Sequence, residues 1–130
     1  MERARLAAIP LFAGLPEREL DAVAHAASEL EVAAGDALMT EGEFGHALFA
    51  IEDGAAEVSI DGASVGAVGP GDVIGEIAVL ASGRRTASVV ATTPLRVIAL
   101  FKRDVWALDQ RAPEAARRLR TALEKHLASR

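Results

Sequence analysis

The chain contains no cysteine and no tyrosine, and it has few aromatic residues of any kind. The lack of cysteine excludes disulfides, thiolate chemistry and cysteine-based zinc sites, and it is compatible with the cytoplasmic location that we expect. With four phenylalanines and one tryptophan, the chain offers few side chains on which single-stranded nucleic acid could stack its bases.

Long apolar runs and an excess of positive charge are missing as well. No stretch approaches the roughly 20 apolar residues of a membrane-spanning helix, and the residues after Met1 do not form an apolar secretion signal. The formal net charge is −5, whereas a surface that binds nucleic acid is expected to be basic. We therefore expect no membrane association and no direct contact with nucleic acid, and an anionic ligand must be held by a local group of residues.

Composition and periodicity predict one domain that begins with helices. The 130 residues, 51% of them apolar, are enough for one core. Pro16 and the acidic residues after it favour a helix start, and apolar residues recur at helical spacing from Leu20 to Leu30. We therefore predict a helix near residues 16–28 within a helical segment over residues 1–30.

Residues 31–101 read as short strands separated by turns that contain glycine. Asp53-Gly54 and Asp61-Gly62 are each typical of a two-residue hairpin, because glycine accepts the positive φ that such turns need. Short strands at this spacing favour a sandwich or barrel over a parallel sheet. The predicted strands are Ala37–Thr40, Ala47–Glu52, Ala55–Ile60, Ser64–Val68, Ser88–Ala91 and Leu95–Phe101.

Helical patterns interrupt and follow the strands. Gly75–Ala81 has neither strand alternation nor a turn pair, which predicts a short helix inserted between two strands. Within residues 102–130, helices are predicted over Asp104–Gln110 and from Pro113 to about Ala128, and Trp106 is expected in the core. The last helix carries an apolar stripe formed by Leu119, Leu123 and Leu127.

Residues 71–91, GDVIGEIAVLASGRRTASVVA, contain the candidate binding site. A helix that begins at Gly75-Glu76 presents backbone N–H groups to an anion, and Gly75 lets a ligand approach closely. The Glu76 carboxylate can accept hydrogen bonds from a sugar hydroxyl. The Arg85 guanidinium can hold a phosphate through two parallel bonds, with the Thr86 hydroxyl beside it. A phosphate cyclised onto its own ribose combines both chemical groups, so the pattern predicts a ligand of that shape.

This segment resembles the phosphate-binding cassette of the cyclic nucleotide-binding domain family. The similarity covers about residues 6–128, and the residues that carry it are Gly75-Glu76-Ile77-Ala78-Val79-Leu80, Arg85-Thr86-Ala87-Ser88-Val89, Leu11–Leu15, Glu41-Gly42-Glu43, Leu48–Ile51, Asp53-Gly54 and Gly71-Asp72. The resemblance implies a mainly β fold with flanking helices. An eight-stranded β-roll, or jelly roll, would occupy residues 31–101 of a single domain that spans residues 1–130.

The resemblance also implies a regulatory sensor of cyclic AMP, or else of cyclic GMP, with no cofactor. Glu76 would bind the ribose 2′-hydroxyl, Arg85 would bind the cyclic phosphate, and the C-terminal helix would close over the base. The other candidate contacts are Gly75, Ile77, Ala78, Thr86 and Ala87, followed by Val73, Ile74, Arg84, Leu119, Arg120 and Leu123. Arg84 stands where the family often has proline, and Ile74 replaces the usual aromatic residue.

Other interpretations remain open. Taken alone, Arg84-Arg85 is typical of an exposed basic pair, and the leucine stripe of the last helix could pack on the roll or on a partner helix. Arg117 and Arg120 could belong to a solvated helix face. The roll could also have lost its nucleotide and serve as a docking or dimerisation module, so possible partners include a second copy of the chain or an effector protein.

An enzyme, such as a small β-roll isomerase or dioxygenase, is the third interpretation. His25, His46 and His126 show no metal-ligand spacing, and no tight cluster of histidine and glutamate is present. The sequence also lacks a P-loop and a nucleophile elbow. We therefore expect neither a metal site nor an enzyme.

Overall fold

In a computed structural model, which describes residues 1–128, eight strands form two four-stranded antiparallel sheets that are flanked by helices. The helices are α1 (Arg3–Ala7), α2 (Glu17–Ala26), α3 (Lys102–Arg111) and α4 (Pro113–Ala128). The strands are β1 (Ser28–Val32), β2 (Ala37–Met39), β3 (Ala47–Asp53), β4 (Ala56–Ile60), β5 (Ala63–Val68), β6 (Val73–Ile74), β7 (Ser88–Ala91) and β8 (Leu95–Phe101). The predicted mainly β roll with flanking helices is confirmed.

Strands β3 and β8 lie at the centre of the first sheet and are buried on both faces. This sheet has the order β1-β8-β3-β6, and the second has the order β2-β7-β4-β5. Alternate residues of β3 and β8 pack against the helices, and the residues between them pack against the second sheet. Both strands are therefore apolar nearly throughout, without the alternation of a strand that has one solvated face. The helix-facing residues include Leu48, Ala50, Ile98 and Leu100, and the inner ones include Phe49, Ile51, Val97 and Ala99.

Helix α4 is capped by a carboxylate from another helix. Glu19 of α2, which is 2% exposed, accepts hydrogen bonds from the backbone N–H groups of Glu114 (3.0 Å) and Ala115 (3.1 Å). The first turn of a helix leaves such donors without partners, and its end favours a negative charge. The cap therefore fixes the start of α4 relative to the N-terminal helices. None of the helices within residues 1–128 combines the length and the hydropathy that a membrane span requires.

We expect the Glu19→Ala substitution to lower the free energy of unfolding by about 1–2 kcal/mol, because it removes both capping bonds and the charge at the helix end. Urea denaturation followed by circular dichroism measures this loss. Glu17→Ala is the matched control, since Glu17 is an exposed carboxylate on the same helix and its surface ion pair with Arg3 contributes little to stability. Equal stability of the two variants would show that the cap of α4 contributes nothing.

Two predicted elements near the N-terminus differ from the structure. Helix α2 ends at Ala26, and residues 28–30, which we predicted to lie in the helical segment, begin β1, which pairs with β8 from Ser28↔Ala99 to Val32↔Leu95. This strand lies at the sheet edge and is mostly exposed, with Leu30 at 41%. A short edge strand that carries charges is common in natural sheets, and its sequence lacks the apolar run of a buried strand.

The predicted hairpin at Asp53-Gly54 is wrong. Strand β3 pairs with β6 and β8, whereas β4 pairs with β5 and β7, so this turn crosses between sheets instead of joining paired strands. Gly54 has a φ of +93°, and a Cβ atom there would lie 2.2 Å from the carbonyl oxygen of Pro94. Asp61-Gly62 does join the paired strands β4 and β5.

The prediction that Trp106 lies in the core is also wrong, since this residue is 61% exposed. Val105 and Leu108 form the buried face of α3. Adjacent residues of a helix point about 100° apart, so burial of Val105 turns Trp106 towards solvent. The Lys102 ammonium lies 5.3 Å from the centroid of the indole ring.

Candidate functional site

A cavity of ≈ 200 Å³ lies between the second sheet, the predicted cassette and α4. Its polar groups come from the two ends of the cassette loop, Gly75–Ala78 and Arg85–Ala87, and from His126 of α4. Apolar walls with a few convergent polar groups are typical of a site for a small molecule. The apolar walls comprise Met39, Val58, Val68, Ile74 and Val89.

The chain between Glu76 and Ser82 is helical, as predicted for Gly75–Ala81, although most of it is not an α-helix. Glu76 and Ile77 have α-helical geometry, and Ala78–Ser82 forms a π-helical turn. Gly83 ends this turn at a φ of +77°, a value that glycine adopts readily, and its N–H donates to the Ala78 carbonyl at 2.9 Å. The reversal returns the chain to the cavity, so that Arg85 lies beside the start of the helical segment.

The Arg85 guanidinium is a buried cation held by carbonyl groups. The residue is 8% exposed, and it donates hydrogen bonds to the carbonyl oxygens of Ala47 (2.7 Å) and Gly75 (3.3 Å). Burial lowers the pKa of the Arg85 guanidinium, and the nearby Glu76 charge raises it. Within residues 1–128 no carboxylate forms a direct ion pair with Arg85, although buried charges in proteins are normally paired.

Two glycines make room for this guanidinium. A Cβ atom at Gly75, where φ is +86°, would lie 2.6 Å from Nη1 of Arg85. A Cβ atom at Gly45 would lie 2.8 Å from Cζ of Arg85 and 2.5 Å from Cβ of Ala78. Real Cβ atoms almost never make such short contacts, so both positions must lack a side chain for Arg85 to lie where it does.

Glu76 is a buried carboxylate with one unused oxygen. The residue is 1% exposed, and Oε1 forms a hydrogen bond with Nδ1 of His126. Its other oxygen, Oε2, is buried and has no hydrogen-bond partner among the described residues. Because buried polar atoms are rarely left unpaired, this oxygen is a candidate acceptor for a ligand hydroxyl.

Most of the residues that we predicted as ligand contacts lie around this one cavity, and the rest do not. The cavity is lined by Gly75, Glu76, Ile77, Ala78, Arg85, Thr86, Ala87 and Ile74. Arg84 instead points to the neighbouring loop, where its Nη1 donates to the Gly42 carbonyl at 2.8 Å. Its Cζ also lies 4.1 Å from the centroid of the Phe44 ring.

The remaining candidates are held by other contacts. Val73 and Leu119 belong to the core between the helices and the first sheet, and Leu119 is 1% exposed. Arg120 forms an ion pair with Asp109 at 2.6 Å. Leu123 is half-buried, and His126 is the residue of α4 that lines the cavity within the described part of the chain.

Sequence reasoning missed several residues of the site. Gly45 has no positive φ to mark it as a required glycine, and the resemblance stopped two residues before it. His126 was considered only as a possible metal ligand, and its separation of 50 positions from Glu76 leaves no local pattern that joins the two residues. Among the described residues no cluster of three histidine or acidic side chains suits a metal ion.

The chain is similar to known proteins along most of its length. The family model described as "Cyclic nucleotide-binding domain" matches residues 29–112. The cyclic AMP receptor protein of Thermus thermophilus is 31% identical over 123 residues, which cover 91% of this chain and 57% of that protein. The cAMP-dependent protein kinase regulatory subunit of Yarrowia lipolytica is 33% identical over 100 residues, which cover 77% of this chain and 24% of that subunit.

A solved structure gives the same picture. The crystal structure of the Thermus thermophilus catabolite activator protein has a TM-score of 0.82 and 30% sequence identity to this chain. The match covers 92% of this chain and 59% of that one. This chain therefore spans less than two thirds of the length of each of these three relatives.

Proposed function

Because the chain belongs to the cyclic nucleotide-binding domain family, we propose that it is a regulatory sensor whose cavity binds cyclic AMP. The observation that carries the proposal is the buried Arg85 cation, which has no direct ion-pair partner within residues 1–128. It shares one cavity with the Glu76 carboxylate. A ligand that carries an anionic phosphate next to a ribose hydroxyl satisfies both side chains at once.

Arg85 is the proposed phosphate ligand. A guanidinium has five N–H donors, and the bonds to Ala47 and Gly75 occupy two of them. The remaining donors can bind phosphate oxygens through short charge-assisted bonds. Since the chain as a whole carries a net charge of −5, the attraction for an anion must come from this local cation and from the first N–H groups of the segment after Gly75.

Glu76 is the proposed ribose ligand. Its Oε2 atom is buried without a partner in the described part of the chain, and an ionised carboxylate only accepts hydrogen bonds. A ribose 2′-hydroxyl supplies the missing donor. The apolar side chains of Met39, Val58 and Val89 offer a surface for the flat purine.

Two observations support cyclic AMP as the first ligand to test. The names of the Thermus thermophilus and Yarrowia lipolytica relatives refer to cyclic AMP. The apolar walls are also suited to a base that needs few polar contacts. The proposal includes a change of conformation as the output of the sensor and an effector that responds to it. Ligand binding can cause such a change only if the ligand makes different contacts in the two conformations.

The proposal predicts that the chain binds cyclic AMP with a dissociation constant in the micromolar range. Adenosine should bind about 100-fold more weakly or worse, because it lacks the phosphate that pairs with Arg85. Isothermal titration calorimetry with cyclic AMP, cyclic GMP, adenosine and 5′-AMP measures these affinities and the base preference together. A lack of binding to either cyclic nucleotide at millimolar concentration would contradict the proposal and favour a docking or dimerisation module.

A further inference from the structure

The carboxylate that the proposed ligand needs is already bound to a side chain of α4. Oε1 of Glu76 forms its hydrogen bond with Nδ1 of His126, and an ionised carboxylate can only accept, so the imidazole is the donor. Glu76 is 1% exposed, whereas the His126 side chain is 47% exposed. The histidine thus reaches from the solvent-exposed end of a helix to a fully buried acid.

His126 also forms part of the wall of the cavity. The cavity volume of ≈ 200 Å³ is below the roughly 300–1,000 Å³ that is usual for a small-molecule site. The other walls belong to strands, which are hydrogen-bonded to their neighbours within each sheet, and to the cassette, whose Gly83 and Arg85 form backbone hydrogen bonds with the loop of residues 42–45. The wall that can yield without breaking a sheet is therefore the end of α4.

The two halves of α4 differ in how they are held. The first half is anchored by the Glu19 cap and by the buried side chains of Ala115, Ala116 and Leu119. From Glu124 to Leu127 every side chain is exposed. Segments with few buried apolar contacts open at low free-energy cost, so the last turns of α4 can leave the roll while the first turns stay in place.

Taken together with the proposed function, on which this inference rests, these contacts assign a specific role to His126. We propose that His126 is a built-in competitor of the ligand: while it is bound to Oε1 of Glu76, its imidazole occupies part of the cavity next to Oε2, until the nucleotide displaces it. The competitor lowers the apparent affinity, because the nucleotide can enter only the fraction of molecules in which the imidazole has left the cavity. His126 therefore sets the ligand concentration to which the domain responds.

The decisive experiment compares the cyclic AMP affinity of the His126→Ala variant with that of the wild-type chain by titration calorimetry. We expect the variant to bind about tenfold more tightly, since removal of a competing contact raises the binding-competent fraction. His25→Ala is the matched control, because it makes the same substitution at an exposed residue of α2 outside the cavity. Its affinity should equal that of the wild-type chain.

A second measurement tests the contact without any ligand. Amide hydrogen exchange in residues 120–128 should be faster in the His126→Ala variant than in the wild-type chain, while exchange in β3 and β8 should stay unchanged. Cyclic AMP binding by the wild-type chain with equal or weaker binding by the variant would overturn the competitor role alone. Binding by neither protein would overturn the proposed function as well.

Discussion

Replacing Arg85 with alanine is expected to weaken the binding of cyclic AMP by about 100-fold or more. A hydrogen bond to a charged group contributes about 1.5–3 kcal/mol, and 1.4 kcal/mol corresponds to a factor of ten. Loss of two parallel bonds to the phosphate therefore accounts for at least two orders of magnitude. Arg85→Lys should recover only part of the loss, because an ammonium does not reproduce the planar pair of donors. Titration calorimetry measures both variants.

The neighbouring arginine provides the control. Arg84 points towards Gly42 and Phe44, and in the described part of the chain it is not among the residues that line the cavity. Arg84→Ala should therefore change the affinity by no more than about twofold, since it removes no ligand contact. Because Arg85 also binds the carbonyl groups of Ala47 and Gly75, circular dichroism must show that its alanine variant is folded. A large loss of affinity in Arg84→Ala with none in Arg85→Ala would show that Arg84, and not Arg85, binds the phosphate.

Gly45→Ala is expected to lower the affinity for cyclic AMP by at least tenfold and to destabilise the fold by about 1–3 kcal/mol, which is the usual cost of overpacking. The new methyl group would collide with Cζ of Arg85 at 2.8 Å and with Cβ of Ala78 at 2.5 Å. Both neighbours must move, and the displaced guanidinium no longer lies where it could bind the phosphate. Titration calorimetry and urea denaturation measure the two effects separately.

Gly69→Ala separates this collision from the general effect of replacing glycine. Gly69, like Gly45, has no positive φ, and a Cβ atom there would make only an ordinary contact of 3.8 Å with the Gly54 carbonyl oxygen. We expect its stability to change by less than about 0.5 kcal/mol and its affinity to stay unchanged. Wild-type affinity in Gly45→Ala would mean that ligand binding does not depend on the observed position of Arg85.

The parts of the fold that sequence analysis predicted well are those with a strong local pattern. Strand β8 was predicted with its observed limits, and β3 to within one residue, because both are continuous apolar runs between turn residues. Strand β1 was missed because its residues face solvent and because β8, the strand with which it pairs, lies about 70 residues further along the chain. Asp53-Gly54 has the same turn chemistry as a hairpin, and only the distribution of strands between the sheets distinguishes the two cases.

In the candidate site, too, residues with a local sequence pattern were predicted and long-range contacts were not. Glu76 and Arg85 lie nine residues apart, so the segment between them carries its own pattern and its own resemblance. The residues that make room for Arg85 or bind Glu76 come from distant parts of the chain. Gly45 reaches Arg85 across 40 residues, and His126 reaches Glu76 across 50. Such pairs depend on the packing of the whole domain, for which a single sequence has no local signal.

The Glu19 cap fixes the first turn of α4, so any tilt of the helix end is a rotation about that turn. Glu114 and His126 are 12 residues apart, which at 1.5 Å per residue is an arm of about 18 Å. A tilt of about 10° about the first turn moves the imidazole by roughly 3 Å, which is the length of a hydrogen bond. Displacement of His126 by the proposed ligand would thus move the end of α4 while the Glu19 cap holds its first turn in place.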